Sequence, residues 1–246
     1  IYKRMIKFFT LKILKYFDLY YQIKLFNFLK KKNLTNFDIF FDIGAHYGES
    51  IILFSKNFNI KKIFSFEPSP INFKKLLNNK ESIRNRFKDL EIHLENFALG
   101  SENKELSMNQ LSETSSSTIN NIDQNSKYFK KKNTFLNLVK KTNSIKKIDI
   151  KQIKLSDYLE QKKIFKIDFL KIDTEGYELN VLIGLGKYLQ NINLIMFEHH
   201  YHDMLIKNYS FSKIHDLLKR NNFTQIYKYK MPFRKTFEYV YKKNNK

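Results

Sequence analysis

The chain contains no cysteine. Disulfides are therefore excluded, as are zinc and redox sites built on thiolates. A reducing compartment is compatible with this, and a cytoplasmic location is the expectation. Acidic residues are also few: 24 Asp and Glu against 45 Lys and Arg give a formal net charge of +21. That balance suits an acidic partner such as nucleic acid or an anionic membrane. Yet arginine, the usual bidentate reader of bases, is scarce, and the lysines are scattered rather than gathered in one arm. The excess also follows from a chain heavy in Lys, Asn, Ile and Phe, so no nucleic-acid partner is expected. There is no internal repeat. No clean apolar run serves as a secretory signal or membrane span, because Lys7, Lys12, Lys15 and Lys24 interrupt the first thirty residues. The first residue is Ile1 rather than Met, as expected of a trimmed chain.

What is present suits one α/β domain with an appendage. The 246 residues are 42% hydrophobic and 16% aromatic, enough for a sizeable core. The spacing predicts a helical extension over 1–36. Tyr2, Met5, Ile6, Phe9, Ile13, Tyr16, Phe17 and Tyr20 form its apolar stripe, with Arg4, Lys7, Lys15 and Gln22 opposite. Such a basic amphipathic helix, spanning 1–32, either packs on its own domain or makes peripheral contact with the inner membrane face.

From residue 37 to 246 strand and helix patterns alternate. Strands are expected at Phe37–Ile43, Lys62–Phe66, Leu90–Leu99, Ile167–Ile172 and Asn193–Phe197, with a small extra strand within 101–110. Helices are expected at Gly48–Phe58, Pro70–Asn78, Ser156–Gln161, Tyr177–Leu189 and Phe211–Arg220. Thr224–Tyr229 and Phe237–Tyr241 read as a closing antiparallel pair. This order predicts a parallel sheet with right-handed crossovers. Residues 111–150 are polar and long for a connection; they read as a lid or as an insertion with helices of its own.

Three stretches carry chemistry. In "FFDIGAHYGES" a buried strand turns at Gly44 and enters a helix at Gly48. Glycine there lets the backbone bend and lets a ligand approach. The G-x-x-x-G spacing is not that of a dinucleotide site, and Asp42 beside the turn suits a cationic amino group better than phosphate. In "FSFEPSP", Glu67 ends the next strand, where a carboxylate can accept two hydrogen bonds from a ribose diol. Pro68 starts the following turn. In "ENFALG", Asn96 offers an amide to an adenine edge and Ala98 leaves room for a flat ring. Last, "LKIDTEGYELNVL" places Lys171 and Asp173 on one side of a strand and Glu175 just beyond it. A helix N-terminus accounts for Glu175 but for neither of the others. The three read together as an active-site rim in which Lys171 partly neutralises the acids.

In order and spacing, "DIGAHYG", "FEPSP", "NFALG", the "SSST" run at 115–118, "LSDYL", "LKIDTEGYELNVLIG" and "IMFEHH" resemble the FkbM family of S-adenosylmethionine-dependent methyltransferases, over about Asp38 to Glu198. The resemblance implies a class I methyltransferase fold: a Rossmann-like, mostly parallel sheet of seven strands, the last antiparallel, with helices on both faces. It implies S-adenosyl-L-methionine held by Asp42, Gly44, Ala45, His46, Gly48, Glu67, Pro68, Asn96 and Ala98. It also implies O-methylation of a sugar or glycan-type acceptor. His46 departs from the family's usual Asn and bears on the methionine end of the cofactor. Asp173 is the first candidate for base or substrate-orienting group, and His199 or His200 the next. "EHHYHD" contains metal-ligand types, but neighbouring strand residues face opposite ways, and no metal is assigned. The competing expectations are an RNA or protein methyltransferase, and a non-catalytic, membrane-docked scaffold.

Overall fold

Phenylalanine, isoleucine and leucine dominate the strands that lie deepest. A computed structural model describes residues 19–111, 117–139, 145–232 and 234–244, with the backbone alone over 135–139. The elements in chain order are helix α1 (19–31), β1 (Asn36–Ile43), α2 (Glu49–Asn57), β2 (Asn59–Phe66), α3 (Pro70–Arg86), β3 (Glu91–Glu95), β4 (Ala98–Gly100) and β5 (Lys104–Leu111). They continue with β6 (Asn121–Ile122), α4 (Lys127–Val139), β7 (Ile145–Lys154), α5 (Leu155–Gln161), β8 (Ile167–Ile172) and α6 (Glu178–Gly184). Then come β9 (Ile192–His200), β10 (Leu205–Ile206), α7 (Phe211–Arg220), β11 (Phe223–Lys230) and β12 (Thr236–Lys243).

Seven strands form one sheet in the order β11-β12-β9-β8-β1-β2-β3. Neighbours from β3 to β9 pair in parallel, whereas β12 is antiparallel to both β9 and β11. This is the expected class I methyltransferase architecture, a Rossmann-like α/β sheet whose last strand runs backwards. Side chains alternate between two cores, as the period of two in a strand requires. Phe41, Leu170, Ile172 and Tyr239 face the layer of α5, α6 and α7. Phe40, Phe169, Met196 and Val240 face α1, α2 and α3. Each such fully buried side chain contributes about 1.5–3 kcal/mol relative to exposure.

Several boundaries differ from expectation. The expected strand Leu90–Leu99 is two strands in different sheets, because the Asn96 amide donates to the carbonyls of Glu67 (2.8 Å) and Pro68 (3.2 Å) and fixes a turn. Helix α3 runs on to Arg86: Ile83 joins Leu76 in the core, a contact hidden in a mostly polar stretch. The helix expected over Tyr177–Leu189 ends at Gly184 and resumes as a 3-10 turn, Gly186–Asn191. Gly184 packs so closely that a Cβ there would lie 1.9 Å from the Gly100 carbonyl oxygen.

Residues 111–150 hold structure of their own. β5 and β7 pair over eight residues, with β4 alongside, as a small three-stranded sheet. β6 pairs with β10. Ser115 and Ser116 of the "SSST" run lie outside the described residues.

Of the expected N-terminal stripe only Tyr20 lies among the described residues. Tyr21, Leu25, Phe26 and Leu29 enter the core, while Tyr20 is exposed. Phe26 meets Phe54 and Phe58 edge-on, each at 5.3 Å. Helix α1 thus packs on its own domain; residues 1–18, and the membrane reading attached to them, lie outside the described residues. Among the described residues no helix is long and apolar enough to cross a membrane.

Candidate active site

The carboxyl ends of β1, β2, β8 and β9 open into a cavity of about 410 Å³. Strand ends of an open α/β sheet are where ligands bind, because the loops diverge there. The cavity brings together Gly44, Ala45 and His46 after β1, Glu67 and Pro68 after β2, Ala98 of β4, and Lys171, Asp173 and Glu175 of the β8 end. Three segments far apart in sequence, each expected to serve one site, therefore do line one space.

The β1 turn is built from its glycines. Gly44 has φ +86, and its N–H, with that of Ala45, donates to the Phe66 carbonyl. A Cβ on Gly44 would strike the Asp173 carbonyl oxygen rather than a ligand, so the glycine allows two strand ends to touch. Gly48 has φ +91 at the start of α2. His46 also sits in the left-handed region, at φ +49, a conformation uncommon for non-glycine residues but one in which His, like Asn and Asp, is enriched. Its N–H donates to Glu67 at 2.9 Å, and its ring pairs with Glu49 at 3.1 Å.

Glu67 is only 4% exposed. Burial pushes its carboxyl up to about 7, against the stabilising backbone N–H groups of Ser69 and His46. The carboxylate accepts from Ser69 N–H at 2.9 Å and from the Asn72 amide at 3.4 Å. It therefore locks both loops: Oε1 is taken up by Ser69 and Asn72, while Oε2, which accepts only from His46 N–H, keeps acceptor capacity.

Three expected cofactor contacts are corrected. Gly48 does not line the cavity; a Cβ there would meet Leu76 at 2.9 Å and Ile83 at 3.3 Å, so this glycine serves the packing of α2 on α3. Asp42 is fully buried and does not line the cavity; it accepts from Ser50 Oγ and pairs with Lys171 Nζ at 3.1 Å. Its charge holds the lysine, not a ligand's amino group. Asn96, with its amide spent on the β2 loop, also stays outside the lining, and Phe97 takes the wall instead.

Lys171 bridges Asp42 and Asp173, the latter at 3.6 Å. Burial works against its ammonium, but the two carboxylates hold its pKa above the ordinary lysine value. Glu175, at φ +51, lies 3.4 Å from His200 Nε2. The helix start that Glu175 was expected to serve belongs to Glu178, whose carboxylate accepts from Gly176 N–H at 2.7 Å, from Thr174 Oγ1 and from Tyr209 OH.

His199 is corrected as a catalytic candidate. It points away from the cavity into an aromatic nest of Tyr201, Tyr209 and Phe211. Burial, aided by Lys207, pushes its pKa down to about 3, a poor base near neutrality. Its neighbour Glu198 faces the cavity instead. Among the described residues no group of three or more His, Asp or Glu is arranged to hold a metal.

Sequence reasoning missed further lining residues: Tyr21 and Gln22 of α1, Met231, Arg234, and Glu238 of β12. Glu238 stands directly across from Glu198. The only signal for it was a lone acid at an inward step of "TFEYVYKK", which needs the register to be read.

The pattern of the methyltransferase FkbM domain matches residues 42–224. Hexuronic acid methyltransferase AglP of Haloferax volcanii is 24% identical over 163 residues, covering 66% of this chain and 56% of that protein. The chain thus spans about half the length of the curated relative it matches. Among solved structures, a methyltransferase FkbM from Methylobacillus flagellatus aligns with TM-score 0.48 and 15% identity, over 83% of this chain and 43% of that one. TrmK of M. capricolum, in complex with S-adenosyl-homocysteine, aligns with TM-score 0.46 and 12% identity, over 89% and 68%. The family match takes in the β1 turn, the Glu67 loop and the β8 end, and with most of the sequence inside it, the chain belongs to the FkbM methyltransferase family.

Proposed function

We propose that this protein is an S-adenosylmethionine-dependent O-methyltransferase whose acceptor is a hydroxyl of a sugar, with uronic-acid-containing glycans as the first class to try. The observation that carries this reading is the single cavity shared by the Gly44 turn, Glu67 and the Lys171–Asp173 pair. The relative named for hexuronic acid methylation supports the acceptor class.

The residues suit the cofactor's chemistry. S-adenosylmethionine carries a sulfonium and an ammonium, and the cavity lining includes the carboxylates of Glu49 and Glu175. Carboxylates at that end favour cations. Glu67 would receive the ribose hydroxyls, while Phe97, Ala98 and Leu99 supply an apolar wall for the base. When bound, the cofactor supplies an electrophilic methyl group. Asp173 orients the acceptor hydroxyl, and Lys171 fixes Asp173 from the buried side. Holding the reacting groups in line supplies much of the acceleration. Ser117, Thr118 and Ile119, beside β5, also line the cavity and would bear on acceptor choice.

The test is incubation with methyl-labelled S-adenosylmethionine and fractionated polysaccharide, RNA and protein. Label in the polysaccharide fraction supports the reading. Label confined to RNA or protein, or tight cofactor binding with no transfer to any fraction, would replace it.

A further inference from the structure

Three candidates stand outside the site roles assigned so far: the buried histidines His199, His200 and His202, the exposed apolar side of α1, and the acid pair on β9 and β12. Only the pair combines geometry, cavity access and an unmet polar group.

Glu198 and Glu238 are opposite partners in the antiparallel β9–β12 ladder. Opposite residues project from the same face with Cβ atoms about 4.5–5.5 Å apart. Both line the cavity. They continue the row begun by Asp173, since Ile172 pairs with Phe197 one step earlier. Glu238 is 3% exposed, and its Oε1 is buried with no hydrogen-bond partner. A buried carboxylate without a partner is costly, and two that face each other across a ladder disfavour joint ionisation. The arrangement is therefore stable with one proton on the pair.

We propose that Glu198 and Glu238 form a carboxyl–carboxylate pair that takes up the proton released by the acceptor hydroxyl; the proposal rests on the methyltransferase reading above. The acceptor oxygen bonds to the methyl carbon as the carbon–sulfur bond breaks, and that electron pair stays on sulfur. The hydroxyl proton moves to the ionised member of the pair. The pair is then a neutral diacid, and it returns one proton to water after product leaves. Asp173, already engaged by Lys171, is left to orient the hydroxyl.

The charged groups facing the pair are known. Burial, Asp173 and Glu175 push the Glu198 carboxyl up, and Arg234 and Lys171 oppose them. Burial alone pushes Glu238 up to about 8, which makes it the member that carries the proton near neutrality and leaves Glu198 to accept the second.

Two measurements on the full chain decide the matter. In ligand-free protein, pH-difference infrared spectroscopy is expected to show a protonated carboxyl band persisting at pH 7. Over the contribution of Glu67, whose carboxyl is also pushed up to about 7, one component of that band should be lost in E238Q and one should shift in E198Q, as expected of two carboxyls that share a proton. No such band at pH 7, or one unaltered in both variants, overturns the pair. In the second measurement, methyl transfer from labelled S-adenosylmethionine to a glucuronic acid oligosaccharide should fall about 10²-fold in E198Q, the loss expected of a general base. Calorimetric affinity for the cofactor should stay within about twofold, since the proposed ribose site at Glu67 is untouched. Full turnover in both variants overturns the catalytic role even if the band behaves as expected. Failure of the wild type to methylate this oligosaccharide counts against the acceptor class, and the infrared result then decides the pair alone.

Discussion

Gly44 and Asp173 meet backbone to backbone: Asp173 N–H donates to the Ile43 carbonyl at 2.9 Å, and the space for a Gly44 Cβ is filled by the Asp173 carbonyl oxygen, 1.9 Å away. The β1 turn and the rim of the cavity are thus one joint.

Gly44→Ala must break that joint and also hold φ +86 with a side chain. We expect a loss of at least about 3 kcal/mol, combining left-handed strain with overpacking. Gly186→Ala, with φ +51 but nothing within 4 Å, should lose only about 1 kcal/mol. Urea unfolding of the two variants checks this, and equal losses would contradict it.

Glu67→Ala should weaken S-adenosylmethionine binding at least about tenfold, since about 1.4 kcal/mol of charge-assisted hydrogen bonding corresponds to that factor. Because Glu67 also holds the N–H groups of His46 and Ser69, the variant should unfold earlier as well. Calorimetry that finds unchanged affinity removes the ribose assignment.

Lys171→Met leaves Asp42 buried with its charge uncompensated. Breaking a buried pair from one side costs about 3–5 kcal/mol, so this variant should be strongly destabilised. Asp173→Asn, at the partly exposed end of the same triad, should keep the fold and cofactor affinity but lower turnover. A fully active Asp173→Asn enzyme would end its role with the acceptor.

How much of this was legible in the sequence depends on whether the signal was local. The β1 strand and Gly44 turn, Glu67 at the strand end and the "LKIDTEG" rim are written in short runs, and each was found. Asp42, at the end of β1, and Asn96, in the turn after β3, were placed in the right segments but given other partners. Their bonds run to Lys171 and to the Glu67 carbonyl, residues 129 and 29 positions away. The inversion of Glu198 and His199 has the same origin. Adjacent strand residues face opposite ways, and the sequence does not say which faces the cavity until the β9–β12 register is known.

Stability should depend on pH through Glu238. Its folded-state value of about 8 lies above the ordinary 4.5, so the folded chain keeps a proton that the unfolded chain releases across that window. Stability therefore falls as pH rises from 4.5 to about 8, with the loss complete above it. Glu238→Gln removes this dependence. Its stability relative to wild type should grow across the window, by up to about 4 kcal/mol. Thermal melts at pH 5 and pH 8.5 measure the difference, and a constant gap would show that Glu238 titrates normally.

The chamber is assembled from more of the chain than the FkbM pattern covers. Tyr21, Gln22, Leu25 and Phe26 precede residue 42, and Met231, Arg234 and Glu238 follow residue 224, yet all seven line the cavity. Two proteins could agree at every motif of the family and still differ in the room they enclose. Chimeras that exchange only these flanking stretches would separate the inherited grip on the methyl donor from each protein's own taste in acceptors.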